Sequence, residues 1–247
     1  QIGAATAALR TSRHADTPQM DTPHARRRLS LADYEYADLI DDQDKVRMLI
    51  DPTSSYARAA AAAMGRAMDD VIITAATGTA STGETGSGSA SLDATANSVG
   101  SASSNDGLTI AKLREAKRKM DLLDVDPSIN RYIAVGPKQI EDLLGTTEVT
   151  SSDFNTIKAL VQGDVDTFMG FNFIMTNRLS IDSNDIRKCF AWAEDGLTLG
   201  IGKDINARID ERADKGYSTQ VYYCMSIGAV RMEEAKVVQI FCDETPD

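Results

Sequence analysis

The sequence predicts an α+β fold, with helices mainly in the first half of the chain and strands mainly in the second. An alanine-rich run, residues 54–77, has further apolar residues three and four positions apart and predicts one long helix. After residue 130, short apolar and alternating runs predict strands. At 247 residues, the chain can form one large domain or two small domains with a buried core.

The first 36 residues show no helical periodicity and contain few large apolar side chains. Two Asp-Thr-Pro sequences, ending at Pro18 and Pro23, predict turns within a long two-armed loop. Five arginines and two aspartates give the first 32 residues a net charge of +3. The remaining residues have a net charge of −14, so the whole chain has a net charge of −11. Because such an arm buries too little to fold alone, we expect it to dock on another acidic body, the nearest of which is another copy of the same protein. The alternative is that this local excess of positive charge is an ordinary variation along a solvated surface and has no docking role.

The composition changes abruptly after the long helix. Between Thr74 and Gly107, 27 of 34 residues are Gly, Ser, Thr or Ala, which predicts a low-complexity surface loop over residues 79–106. A second amphipathic helix follows, with Leu113 and Ala116 on its apolar face. The basic residues elsewhere on this helix could contact nucleic acid, although a solvated helix face is the favoured interpretation.

The remaining elements are short. A helix over 139–144 ends at Gly145. Strands are predicted over 132–136, 168–175, 197–201, 217–227 and 237–242.

Charge and composition exclude several classes of protein. A net charge of −11 argues against a general nucleic-acid binder, and no apolar run approaches the roughly 18 to 20 residues that a membrane span needs. The three cysteines, Cys189, Cys224 and Cys242, lie in apolar surroundings and are predicted to be buried thiols in a reducing compartment.

No pattern predicts catalysis, a cofactor or a metal site. The run from Gly196 to Lys203 resembles a phosphate-binding loop, but it lacks the first glycine and the final hydroxyl residue of that motif. The acidic clusters at 41–44 and 210–214 lack the spacing of a calcium loop, and His14 and His24 have no zinc-site or catalytic-triad context. We therefore predict that the protein is not an enzyme, with a soluble α+β enzyme that uses carboxylates as the alternative.

The order of these elements resembles the major capsid proteins of tailed bacteriophages, which have the Hong Kong 97 fold. The match consists of a two-armed loop, a long alanine-rich helix, a low-complexity loop, a second helix and a strand-turn-helix. Short runs also match, at residues 26–28 with Tyr34, 37–44, 65–70, 132–144, 226–231 and 237–240.

This resemblance implies a domain organisation. An N-terminal arm precedes the extended loop (E-loop) in such proteins, so we expect the start at Gln1 to reflect cleavage or disorder upstream. The implied parts are an E-loop over 1–36, a peripheral domain over 37–127 with its spine helix at 54–77, an axial domain over 128–213, and return strands of the peripheral domain over 214–247.

The resemblance also implies a function. The chain would self-assemble into pentamers and hexamers of an icosahedral phage head that encloses double-stranded DNA without sequence-specific binding. It would assemble in the cytoplasm of a bacterial host and remain in the virion, with portal, scaffolding and decoration proteins as further partners and no membrane. The alternative within the same fold is the shell protein of an encapsulin-like bacterial nanocompartment.

The candidate inter-subunit contacts lie in the arm. Arg26, Arg27 and Arg28 are expected to dock on carboxylates of an adjacent subunit, and Leu29 and Leu31 supply the apolar part of the contact.

Overall fold

The computed structural model describes residues 24–41, 53–101, 106–145 and 167–245, with single positions at 43 and before residue 24. The predicted turns at Pro18 and Pro23 lie outside these residues, as do His14, Asp42 and Asp44. The described chain contains the helices α1 (Thr53–Thr77), α2 (Ile110–Leu122) and α3 (Pro137–Gly145).

Twelve strands form three sheets in the described part of the chain. A small sheet contains β1 (Arg27–Arg28), β3 (Ala80–Thr82) and β4 (Gly88–Ala90) in the order β1-β3-β4. A long sheet contains β2 (Ala32–Ile40), β10 (Leu197–Arg212) and β11 (Ser218–Arg231) in the order β10-β11-β2. The six-stranded sheet has the order β5-β12-β9-β6-β8-β7 and contains β5 (Ser98–Val99), β6 (Arg131–Val135), β7 (Thr167–Phe168), β8 (Phe171–Met175), β9 (Ile186–Ala193) and β12 (Val237–Asp243).

Helix α1 packs on the long sheet. Met64 lies against Met225 and Ile227, and these three side chains form the buried centre of this layer. The contact arises because alternate residues of β11 point to one face of the sheet, where the apolar stripe of the helix can cover them. The long helix predicted over 54–77 is confirmed, and so is the predicted strand face from Thr219 to Ile227. Tyr217 was wrongly included in that face, because it has a φ of 61° and precedes the strand.

The larger core lies between the six-stranded sheet and α2. Leu113, Ala116 and Met120 of α2 are buried in it, as the periodicity predicts. Thr109 caps the helix by accepting a hydrogen bond from the Lys112 N–H. Strand β6 continues into α3 and pairs in parallel with β8, so the strand-helix sequence of this segment is confirmed.

Part of the low-complexity segment, residues 79–106, is not the surface loop that its composition predicts. Ser98–Val99 pairs in parallel with β12, and the Val99 side chain is fully buried in the larger core. The Asn97 side chain donates to the carbonyl oxygens of Glu234 at 2.6 Å and Val237 at 3.2 Å. The prediction was wrong at residues 97–99, because composition alone does not reveal that a strand far along the chain offers an edge to pair with.

Strand pairing crosses the expected domain boundaries, which stay predictions. Strand β2 crosses the boundary at 36/37, so the predicted loop already contains a strand from Ala32 onward. The boundary at 213/214 separates β10 from β11, although these two strands pair along nearly their whole length. Strand β12, assigned with the return strands, instead pairs with β9 in the six-stranded sheet. Local sequence patterns do not contain this pairing between distant segments.

Candidate assembly surface

The arm is fastened to its own subunit by Arg27. Its Nη2 atom donates to both carboxylate oxygens of Glu234, at 2.8 and 2.6 Å, and its Nε atom donates to the Met232 carbonyl at 2.9 Å. The Arg27 side chain is only 9% exposed in this position. Strand β1 adds backbone pairing, with Arg27 opposite Thr82 in β3. The charged side chain of Arg27 thus holds the arm on its own subunit, where the few apolar side chains of the arm would not be sufficient alone.

The same carboxylate faces a second arginine. Arg231 is fully buried, and its Nε atom lies 3.7 Å from Oε1 of Glu234. Its other nitrogens donate to the carbonyl oxygens of Ala76, Gly78 and Ala90 at 2.7 to 2.9 Å. Burial lowers the pKa of Arg231, and the nearby Glu234 opposes that change.

Arg231 therefore joins three parts of the fold. Ala76 and Gly78 lie at the C-terminal end of α1, where unpaired carbonyls and the helix dipole favour a cation. Ala90 belongs to β4, so the same guanidinium also holds the small sheet. Neither Arg231 nor Glu234 was predicted as a functional residue, because nothing in their local sequence pattern distinguishes them from solvated charges.

The two arm leucines lie over glycines of the long sheet. A β-carbon on Gly200 would come within 2.9 Å of the Leu29 side chain, and one on Gly202 would come within 2.5 Å of the Leu31 side chain. At Gly228, which pairs with Gly200, a β-carbon would lie 2.3 Å from the Ser30 carbonyl oxygen. Glycine at these positions lets the arm cross the sheet in close contact.

The other arm arginines are more exposed. Arg26 lies 3.8 Å from Glu84, with side chains 72% and 84% exposed, and Arg28 donates to the Thr85 carbonyl at 2.6 Å. Leu31 is half exposed. Arg27 and Leu29 are thus used within the subunit, whereas Arg26, Arg28 and Leu31 keep surface for a neighbour. The inter-subunit role of all five residues stays a prediction.

The glycine-rich run and the cysteines lie in strands of the two larger sheets. The run from Gly196 to Lys203 mostly forms the start of β10, not a loop before a helix. Cys189, Cys224 and Cys242 are buried free thiols, as predicted. In the described ranges, no three Asp, Glu, His or Cys side chains are grouped as metal ligands. No helix among these residues is long and apolar enough to cross a lipid bilayer.

A family model described as "Phage capsid protein" matches residues 1–244 of the sequence. The chain belongs to this family. The resemblance inferred from short motifs is therefore confirmed across nearly the whole length of this phage capsid protein. Comparison with curated proteins gives no match.

Solved structures agree on the fold of this phage capsid protein. The head of Helicobacter pylori bacteriophage KHP40 has a TM-score of 0.73 and 12% identity, covering 98% of this chain and 83% of the other. The capsid of Cyanophage P-SCSP1u has a TM-score of 0.72 and 16% identity, covering 97% and 81%. The holo-SrpI encapsulin complex of Synechococcus elongatus has a TM-score of 0.56 and 11% identity, covering 92% and 79%. The mixed helix and sheet structure is thus the Hong Kong 97-like fold of tailed-phage capsids.

Proposed function

We propose that this chain is the major capsid protein that self-assembles into the pentamers and hexamers of an icosahedral tailed-phage head. The observation that carries the proposal is the family match over residues 1–244. The similarity in fold to capsid and head structures supports it. In this role the protein acts through assembly, not through turnover of a substrate.

The particle would enclose double-stranded DNA and become the shell of the virion after assembly in the cytoplasm of a bacterial host. The net charge of −11 supports enclosure without tight binding, because an acidic protein repels the phosphate backbone. Portal, scaffolding and decoration proteins are the further partners in this proposal.

The two main layers would take different places in each pentamer or hexamer. The long sheet with α1 would form the peripheral domain, and the six-stranded sheet with α2 and α3 would form the axial domain near the centre. This grouping by sheet moves α2, β5 and β12 out of the peripheral domain that the resemblance implies, and moves β10 into it. Residues 1–36 would supply the E-loop that reaches a neighbour, and their described part supports this with exposed arginines at Arg26 and Arg28.

The shell of an encapsulin-like nanocompartment is the second candidate. The similarity to the SrpI encapsulin, at a TM-score of 0.56, favours it, although both phage structures score higher at 0.73 and 0.72. The two candidates differ in what the particle contains, since one encloses a genome and the other encloses protein cargo.

Particle size and content test the proposal. The purified chain is examined by sedimentation and negative-stain electron microscopy under a range of assembly conditions, and closed shells with fivefold and sixfold units are expected. Particles purified from the native source should contain nuclease-protected DNA. Protein cargo without DNA would favour the nanocompartment, and a protein that stays a monomer or small oligomer under all conditions would contradict both candidates.

A further inference from the structure

Helix α2 carries five basic residues, and the structure divides them into two groups. Three lysines donate to backbone carbonyls of the same chain: Lys112 to Asp106 and Phe241, Lys117 to Met169, and Lys119 to Thr95 and Ser98. Their charges hold the helix against its own core and the adjoining loops. Within the described residues, no carboxylate pairs with the other two, Arg114 and Arg118.

The two arginines form a row with an exposed apolar side chain. Arg114, Arg118 and Leu122 are four residues apart, so they share one face of the helix. Both arginines are exposed, and Leu122 is 68% exposed. Arginine beside a large apolar residue is the composition enriched at protein interfaces. This face therefore has the character of a docking surface.

A complementary concavity lies at the end of the same helix. It has a volume of about 630 Å³, and the exposed carboxylates of Asp124 and Asp126 line it. Two cations line it as well: Arg131 pairs with Asp121 at 2.7 Å, and Lys117 donates to the Met169 carbonyl. Asp126 accepts a hydrogen bond from the Ser128 N–H at 2.8 Å. No described cation forms an ion pair with Asp124 or Asp126. Because Arg131 is already paired with Asp121, the carboxylates of Asp124 and Asp126 are the groups that can receive the arginines, and Pro127 and Ile129 supply apolar surface for Leu122.

We propose that the row Arg114, Arg118 and Leu122 of one subunit docks in the Asp124–Asp126 concavity of a second copy of this chain. The two surfaces differ, so the contact is heterologous, and repetition closes a ring of subunits. This inference rests on the proposed shell function and names a contact within it. Nucleic acid is a less suitable partner for this row, because its binding depends on many contacts between basic side chains and phosphates. The row has only two arginines, one exposed leucine and a chain with a net charge of −11 around it.

Charge exchange tests the contact. Arg114→Glu with Arg118→Glu, and separately Asp124→Lys with Asp126→Lys, should each lower particle yield by about tenfold through like-charge repulsion. All four substitutions together should restore assembly. As a matched control, Arg58→Glu with Arg66→Glu, an exposed pair on α1, is combined with the same two lysine substitutions and should give no rescue. Circular dichroism checks the fold of each variant, and Arg114→Gln with Arg118→Gln provides a milder change.

The outcomes separate this contact from the shell function itself. If the wild type forms shells and both charge reversals also do so, or if the fourfold exchange stays defective, the contact is wrong and the shell function stands. If the arginine variant assembles normally but its particles retain less DNA, the row contacts nucleic acid and the proposal is overturned. If the wild type forms no particles, the shell function fails and this contact fails with it.

Discussion

The Nη2 atom of Arg27 lies 2.6 Å from Oε2 of Glu234, a residue 207 positions later in the chain. The ion pair links the arm to the turn that separates β11 from β12. Since Oε1 of Glu234 also lies 3.7 Å from the buried Arg231, one carboxylate holds the arm in place and balances the charge of a buried guanidinium. The arm and the junction between the sheets are therefore energetically coupled.

Glu234→Gln should destabilise the fold more than loss of Arg27. The substitution leaves Arg231 without a countercharge, and we expect the free energy of unfolding to fall by about 2 to 3 kcal/mol. Arg27→Met should cost about 1 kcal/mol, because Glu234 can still face Arg231. Chemical denaturation measures both. Glu84→Gln, which removes only the exposed pair with Arg26, is the control and should change stability by less than about 1 kcal/mol.

Gly228→Ala should loosen the arm without disturbing α1. A β-carbon there meets the Ser30 carbonyl oxygen, so the arm must shift, and we expect a loss of about 1 to 3 kcal/mol in unfolding free energy together with faster proteolysis near residue 30. Gly65→Ala is the matched control, since no neighbouring atom lies within 4 Å of a β-carbon at this helix position. That change should stabilise the protein by about 0.5 to 1 kcal/mol. Equal effects at both positions would contradict the close contact of arm and sheet.

The low-complexity segment should tolerate change at one end and not at the other. Shortening the turn between β3 and β4, residues 83–87, should leave the core intact, because loop closure depends weakly on length. Val99→Ala, in contrast, should cost about 1 to 3 kcal/mol through the cavity that it leaves in the core. Thermal unfolding compares the two variants. Loss of folded protein from the short deletion alone would show that the turn, not Val99, is the structural part.

The exposed arm arginines should affect assembly more than folding. Arg26→Glu with Arg28→Glu removes side chains that lie at the surface, so the thermal unfolding midpoint should stay close to that of the wild type. Particle yield should fall at low salt, and high salt should weaken wild-type assembly in the same direction. Normal assembly of the double variant at low salt would make the arm's charge incidental, and Leu31 would be the next residue to test.

The C-terminal end of β12 should contribute stability that depends on pH. Burial alone would raise the pKa of Glu244, but hydrogen bonds from Arg187 at 2.5 Å and Gln139 at 2.9 Å outweigh burial and hold the pKa below its ordinary value of 4.5. A lowered native pKa means that this contribution is complete above the unfolded pKa and is lost as the pH falls through the native pKa. Wild-type stability should therefore drop more steeply below about pH 4.5 than that of Glu244→Gln. Parallel stability curves for the two proteins would exclude this role.

Elements whose signal is local follow from the amino-acid sequence without knowledge of the fold. The long helix follows from alanine content and apolar spacing around Met64, and the amphipathic helix follows from Leu113, Ala116 and Met120. The order of such elements was sufficient to indicate the capsid family. The arm was also recognised from its sequence as a segment that needs another surface.

The identity of that surface, and the way the strands are divided between the sheets, depend on contacts between distant segments. Arg27 forms an ion pair with Glu234, Leu29 packs on Gly200, and Val99 pairs with Ile240 in the neighbouring strand. The partners in each contact are more than a hundred residues apart in the chain. Helix periodicity is determined within a few turns and can be read from neighbouring residues. Strand pairing, glycine contacts and charge compensation depend on which distant segments meet, because their free energy appears only when both partners are in place.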